Sequence, residues 1–187
     1  LKANIVRQQA CQHLASLPGW ANTVIADLLT EVERLDERIA QYDRHLRQSA
    51  KISPQAQQLM QLPGIGETTA TALVSTIGNG HDFTCGRSVS AWLGLVPGQH
   101  SSGGKARLGR ITKAGDSYLR NLLVLGARAV LAAAMRTEQP KQDPISRWAR
   151  ALVERRGYWR AVIAIAAKNA RMSWAVLHHG ERFRLPT

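Results

Sequence analysis

The chain has 187 residues, of which 44% are hydrophobic, and its formal net charge is +12. This apolar content is enough for the core of one ordinary domain, with or without an extension, and excludes wholesale disorder. The longest unbroken apolar run, residues 161–167, is far too short to span a membrane. The composition therefore predicts a bacterial cytoplasmic protein with no membrane partner.

The positive charge is concentrated in two segments. Residues 86–120 hold six basic side chains against one acid, and residues 141–187 hold ten against three. Together they account for the whole excess, which indicates that these segments face a polyanion such as DNA or RNA. The two cysteines, Cys11 and Cys85, lie far apart and match no metal or disulfide spacing, which is typical of a reducing compartment.

The first third of the chain has a heptad pattern. Its apolar residues alternate in spacing between three and four, which predicts a coiled-coil helix and a homo-oligomer, a dimer or tetramer. The alternative is a hairpin within one chain, in which residues 2–16 fold back through a turn at 17–19. Pro54 should end the helix, because the residue before a proline is pushed out of the helical region. The predicted seam consists of Ile25, Leu28, Val32, Leu35, Ile39, Tyr42 and Leu46.

Residues 59–77, LMQLPGIGETTATALVSTI, predict a helix-hairpin-helix, with the second helix starting near Glu67. Gly64 and Gly66 can adopt positive φ and have no Cβ, so backbone N–H groups there can approach a phosphate closely. The N-terminus of the second helix would add a favourable dipole. The alternative is a plain turn between two core helices, which the absence of Lys and Arg from residues 59–85 favours.

The remaining elements are also mostly helical. We expect a short helix over 87–93, a strand or irregular ribbon over 105–111, and a long buried helix that Asp116 caps and that runs to Met135. Two basic helices follow within 144–179, separated by Gly157. The fold class is therefore mainly α, with N-terminal coiled-coil helices in residues 1–53 and a compact helical domain in residues 54–187. That domain contains the helix-hairpin-helix and a glycine-rich serine loop over 97–113.

Residues 97–110 read PGQHSSGGKARLGR and place two serines among cations. A hydroxyl that attacks a phosphodiester needs stabilisation of the transition-state charge and a group that takes its proton. The cations can supply the first, but the only acid in residues 86–120 is Asp116, the expected helix cap. A phosphate loop of the Gly-Lys-Ser/Thr type is excluded, since Ala106 occupies the position of the required hydroxyl. Two possibilities stay open: a phosphate-contacting loop without catalysis, and half of an active site.

Two ordered blocks carry a specific resemblance. They are LPGIGETTATALVSTIG and, further on, AWLGLVPGQHSSGGKARLGRITKAGDSYLRNLLVLGARAV. Together they resemble the C-terminal transposase domain of the insertion-sequence one-ten family, in its eleven-eleven branch of bridge-RNA-guided DNA recombinases. The resemblance is dense over residues 59–135 and looser over the coiled coil and the basic helices.

The resemblance implies a catalytic serine in a Ser-Gly motif, which here is Ser102-Gly103, with Ser101 as the fallback because the serine is doubled. The nucleophile would attack DNA and form a covalent phosphoserine. A guide RNA and assembly through the coiled coil are also implied. For Arg120, the alternative is a structural bridge to an acid. The residues predicted to contact nucleic acid are Gly64, Gly66, Gly103, Lys105, Arg107, Arg110, Lys113 and Arg120.

Members of this family carry an N-terminal RuvC-like domain whose acidic residues bind metal. No such domain stands in these 187 residues, so we expect no metal site and no cofactor in this chain. Mg²⁺ is expected in the full-length protein only. The resemblance therefore implies that this chain alone does not cut DNA.

Overall fold

The computed structural model describes residues 3–99, 107–136 and 144–180. Within them, eight α-helices and one pair of antiparallel strands form the fold, which confirms the mainly α class. The helices are α1 (Ala3–His13), α2 (Gly19–Ile52), α3 (Pro54–Leu59), α4 (Glu67–Ile77), α5 (Gly86–Trp92), α6 (Ser117–Arg136), α7 (Pro144–Arg156) and α8 (Tyr158–His179). A 3₁₀ turn covers Leu14–Ser16, and the strands are β1 (Pro97–Gln99) and β2 (Leu108–Ile111).

The chain forms two compact units, Leu1–His45 and Leu46–Thr187. In the first unit, Arg7 of α1 forms an ion pair with Asp36 of α2, and the Asn22 amide donates to the Leu14 carbonyl at 2.8 Å. The chain therefore turns back between α1 and α2, as the hairpin alternative predicts.

The hairpin leaves most of the heptad seam uncovered. Leu28, Leu35, Ile39 and Tyr42 expose between 43% and 61% of their surface. The long helix is confirmed, and it ends at Ile52, just before Ser53 and Pro54. Exposure of this many large apolar side chains on one helix is unfavourable in water, so the face is suited to burial against another chain. Coiled-coil assembly itself stays a prediction.

The second unit has one hydrophobic core, to which all six helices from α3 to α8 contribute. Burial of one large aliphatic side chain stabilises the folded state by about 1.5–3 kcal/mol, so this core dominates the stability of the second unit. The largest fully buried side chains are Leu59, Leu62, Leu73, Leu93, Leu119, Leu123, Leu131, Ile165, Val89 and Val162.

Helix α6, which the sequence predicts to be a long buried helix, contributes one face to the core and exposes part of its surface. Leu119, Leu123 and Leu131 are fully buried, whereas Tyr118 and Leu125 are 58% and 56% exposed. Helical periodicity places the buried leucines and the two exposed residues on different faces of α6. By length and composition α6 could also cross a membrane, but its buried leucines pack against other helices as those of a core helix do.

Candidate nucleic-acid site

The serine segment connects two paired strands. β1 and β2 are antiparallel, with Pro97 opposite Ile111 and Gln99 opposite Leu108. The ribbon expected near 105–111 is thus a strand over its second half. The predicted nucleophile Ser102, its fallback Ser101, and the predicted contacts Gly103 and Lys105 fall in residues 100–106, outside the described residues.

The end of this ribbon is held by close backbone contacts. Gly94 and Gly115 both have positive φ, +67° and +69°. A Cβ on Gly94 would lie 2.4 Å from the Ala114 nitrogen, and one on Gly115 would lie 1.9 Å from the Trp92 carbonyl oxygen. Only glycine fits at both places, so the chain after β2 lies directly against the chain that follows α5.

Three of the predicted nucleic-acid contacts, Arg107, Arg110 and Lys113, are exposed on β2 and beside it. Lys113 has φ +55°, a left-handed conformation that costs a non-glycine residue about 1–2 kcal/mol. Its backbone N–H donates to the Gly94 carbonyl at 3.1 Å, which fixes this conformation. The ribbon therefore presents several cationic side chains from a backbone whose position is set by the helical core.

Asp116 caps α6, as predicted. Its Oδ1 accepts hydrogen bonds from the backbone N–H groups of Tyr118 at 2.8 Å and Leu119 at 3.0 Å. These bonds satisfy two of the free donors at the start of the helix. Because Asp116 is the only acid in residues 86–120, the carboxylate nearest to the serines in sequence serves the fold and is poorly suited to act as a base.

Arg120 has a structural role in this geometry. It is half-buried, and its Nη1 donates to the carbonyl oxygens of Leu93 at 3.1 Å and Ala114 at 2.9 Å. It therefore ties α6 to both chain segments that support the ribbon. The partners are backbone carbonyls, whereas the structural alternative from sequence named an acid. A contact between Arg120 and nucleic acid stays a prediction.

Replacement of Arg120 by glutamine should lower the free energy of unfolding by about 1–3 kcal/mol, because the carbonyl oxygens of buried Leu93 and of Ala114 lose a charged donor. Urea unfolding of the 187-residue chain measures this. Arg110→Gln is the matched control, since Arg110 is exposed, and it should change stability by less than about 0.5 kcal/mol. Equal effects of the two variants would contradict the structural role.

The predicted helix-hairpin-helix segment forms two helices, α3 and α4, joined by a turn, and α4 starts at Glu67 as expected. Gly64 has φ +83°, and a Cβ there would lie 2.7 Å from both the Gly126 oxygen and Val130 Cγ2 of α6. Buried Asn169 of α8 donates to the Pro63 carbonyl at 2.9 Å. Core packing thus accounts for Gly64 without a phosphate.

Gly66 differs from Gly64. It is exposed, has φ −93°, and has nothing within 4 Å of an added Cβ. The first turn of α4 also carries Glu67, whose Oε2 lies 3.5 Å from Nε of Arg47. This carboxylate already interacts favourably with the helix dipole and would repel a phosphate. Phosphate binding by Gly64 and Gly66 stays a prediction, with Gly66 the better placed of the two.

Residues 3–99, 107–136 and 144–180 contain no group of three or more His, Cys, Asp or Glu side chains able to hold a metal ion. Cys11 and Cys85 are exposed free thiols. A hydrogen bond with the Ser88 side chain lowers the pKa of Cys85 to about 7. These groups do not form a metal centre with the cationic ribbon.

Sequence reasoning missed an aromatic cluster where α7 meets α8. Tyr158 and Trp159 lie edge to face with ring centroids 5.3 Å apart, and the Arg128 guanidinium lies 5.8 Å from the centre of the Trp159 ring. Residues 155–160 read RRGYWR. Basic residues interleaved with aromatics are a signal that the sequence carried and that could have identified this cluster.

Comparisons with known proteins show that this chain is similar in sequence to transposases. Residues 56–142 match the model of the Transposase IS116/IS110/IS902 family. The chain is 40% identical over 91% of its length to a probable family 20 transposase of Pseudomonas aeruginosa. It is 43% identical over 86% of its length to the transposase for insertion sequence element IS1111A of Coxiella burnetii, and 33% identical over 89% to that for IS1328 of Yersinia enterocolitica.

The chain spans about half the length of these relatives, 49%, 43% and 49% respectively. Their similarity extends from the family segment into the flanking helices. These findings support the resemblance at the level of the family: residues 56–142 of this chain match the IS116/IS110/IS902 transposase family, and the relatives are named transposases.

Proposed function

We propose that this chain is part of an insertion-sequence transposase that binds DNA and supplies Ser102 as the nucleophile for strand cleavage and exchange. The observation that carries the proposal is the antiparallel pair of β1 and β2, which the serine segment connects inside the family match at 56–142 and which has exposed cations on β2 and beside it. Ser101 is the fallback nucleophile. The protein acts on DNA in the bacterial cytoplasm, and a guide RNA is the second proposed nucleic-acid partner.

The proposed step is a transesterification. The serine Oγ forms a bond to phosphorus, the bond from phosphorus to one deoxyribose oxygen breaks, the serine proton passes to a base, and the leaving oxygen takes up a proton. The product is a phosphoserine and a free DNA hydroxyl, so the energy of the ester bond is kept for rejoining. Arg107, Arg110 and Lys113, which lie on β2 or within two residues of it, are proposed to stabilise the charge of the pentavalent transition state.

The described residues do not fit a metal centre, since Asp116 is engaged as a helix cap and no other acid lies near the serines in sequence. Mg²⁺ is proposed to be bound by carboxylates of a RuvC-like domain in the full-length protein, where it would provide Lewis-acid assistance to phosphoryl transfer.

The direct test is to locate the covalent bond. Full-length transposase incubated with DNA of its own element ends and quenched in denaturant should yield a protein–DNA adduct. After nuclease and protease digestion, mass spectrometry should find the nucleotide on Ser102. An adduct on Ser101 would move the nucleophile by one residue, and an adduct on another residue type would refute serine chemistry.

The second candidate is a non-catalytic module that holds DNA or RNA through the helix-hairpin-helix and the basic helices. The exposed N-terminus at Gly66 is the observation that favours it. This function predicts steeply salt-dependent binding that neither Ser101→Ala nor Ser102→Ala changes, with no adduct formed.

Homo-oligomerisation through α2 is part of the proposed function, and it is tested by charge insertion. Leu28→Asp together with Leu35→Asp should convert the assembled chain to a monomer, because two carboxylates cannot be buried in a coiled-coil seam. Light scattering of the 187-residue chain gives the mass. The control is Glu31→Gln with Arg34→Gln, an exposed pair on the same helix, which should leave the mass unchanged. An unchanged mass for the aspartate variant would exclude this seam as the interface.

A further inference from the structure

The start of α8 presents aromatic rings to solvent. Trp159 is 64% exposed and Tyr158 is 38% exposed, although the next residues of the helix, Ala161 and Val162, are fully buried. Gly157 separates α7 from α8 with φ +82°, a conformation that favours glycine and fixes the turn between the two helices. The aromatic pair is therefore held on a defined corner of the second unit.

Trp159 differs from Trp148 and Trp174 of that unit in what it contacts. Trp174 is half-buried and donates from Nε1 to the Gly80 carbonyl at 3.0 Å, and Trp148 is half-buried against the core beneath Lys168. The Trp159 ring takes no part in the core, and its indole N–H makes no hydrogen bond within the described part of the chain. Its contacts are the edge of Tyr158 and the Arg128 guanidinium, which orient the ring and leave most of it open.

Arginines lie close to this ring, Arg128 in space and three others in sequence. The three within four residues of Trp159 are exposed and form no ion pair in residues 3–99, 107–136 and 144–180. Glu154 is the only acid between residues 144 and 180. We call this group the junction cluster; it consists of Arg128, Arg155, Arg156, Tyr158, Trp159 and Arg160.

We propose that the junction cluster binds a single-stranded nucleic acid, with an unpaired base stacked on Trp159 and the neighbouring phosphates held by the arginines. The exposed indole can stack on an unpaired base, since every base has an aromatic face, and the arginines can bind the phosphates, since every nucleotide adds one negative charge. A duplex offers only the phosphate charge, because its bases are already stacked on each other. This inference rests on the proposed function in that nucleic acid is the partner.

The test uses fluorescently labelled twelve-residue strands, oligo(dT) and oligo(U), and a DNA duplex of equal length, with the 187-residue chain. Trp159→Ala should weaken binding of a single strand roughly ten- to a hundredfold, the loss associated with one stacked base. Duplex binding should change less than twofold. Trp159→Phe should restore much of the affinity, since it returns an aromatic face. A larger loss of affinity for oligo(U) would identify the ligand as RNA, and a larger loss for oligo(dT) would identify it as DNA.

Two controls separate stacking from other causes. Trp20→Ala removes a tryptophan that is 77% exposed but lies in the first unit, and it should leave every affinity unchanged. Joint replacement of Arg155, Arg156 and Arg160 by glutamine should weaken the binding of single strands and of the duplex alike. It should also lower the dependence of the affinity on salt concentration. Circular dichroism of each variant confirms that the helices remain folded.

The outcomes are distinct. Equal affinities for wild type and Trp159→Ala would overturn the stacking site while leaving nucleic-acid binding intact. A wild-type chain that binds none of the three probes would instead count against the proposed function itself. A change in solution mass with Trp159→Ala and none in strand binding would show that the cluster contacts protein, which also overturns the inference.

Discussion

Replacement of Ser102 by alanine in the full-length transposase is expected to lower the rate of DNA strand cleavage by about 10⁴-fold or more, the scale of losing a nucleophile. The reason is that alanine has no hydroxyl oxygen to form the phosphoester, whatever metal or cations remain in place. DNA affinity should be unchanged, since one small hydroxyl contributes little to a contact dominated by phosphate charge. Single-turnover cleavage of element-end DNA measures the rate, and filter binding measures the affinity.

Ser101→Ala is the matched control, because it deletes the same atom one residue earlier. It should retain cleavage within about tenfold if Ser102 attacks the phosphodiester. The opposite result, cleavage lost with Ser101→Ala and kept with Ser102→Ala, would exchange their roles. Arg110→Gln should reduce the rate by about 10²–10³ without abolishing it, as expected of a group that stabilises transition-state charge.

Replacement of Gly64 by alanine should lower the free energy of unfolding by about 2–5 kcal/mol. About 1–2 kcal/mol comes from the left-handed backbone at φ +83°. About 1–3 kcal/mol more comes from overlap of the new methyl group with Gly126 and Val130 of α6. Urea unfolding of the 187-residue chain, followed by circular dichroism, measures the loss.

Gly66→Ala provides the comparison. Gly66 lies two residues away, has negative φ and has open space where a Cβ would stand, so its replacement should cost less than about 1 kcal/mol. The same pair tests the helix-hairpin-helix: Gly66→Ala should weaken DNA binding if phosphate approaches that N–H. Similar stability losses in both variants would contradict the packing of Gly64 on α6.

The helical elements followed closely from the sequence. Pro54 ends α2, Asp116 caps α6 and Gly157 separates α7 from α8, each through local chemistry that acts within a few residues. The mainly α class followed from the same signals. The family resemblance, carried by ordered blocks rather than by a single motif, was confirmed over residues 56–142.

The contacts that individual residues make within the fold did not follow from the sequence. Arg120, whose contact with nucleic acid stays a prediction, donates from its guanidinium to two backbone carbonyls. Gly64, whose approach to a phosphate also stays a prediction, packs on Gly126. In each case the residue type permits both roles, because a guanidinium binds carbonyls as readily as phosphates and a glycine admits any close neighbour. Sequence spacing alone could not choose between them.

The sequence by itself determined which segments are helical, where they end, where the charge lies and which family the central segment resembles. These properties depend on interactions between residues close in the chain or on composition. Only the tertiary structure decided that Gly64 packs against Gly126, that Arg120 forms hydrogen bonds to the segments that support the ribbon, and that Trp159 is exposed beside Arg128. Such contacts join residues distant in sequence, and they form only when packing of the core has brought the helices together.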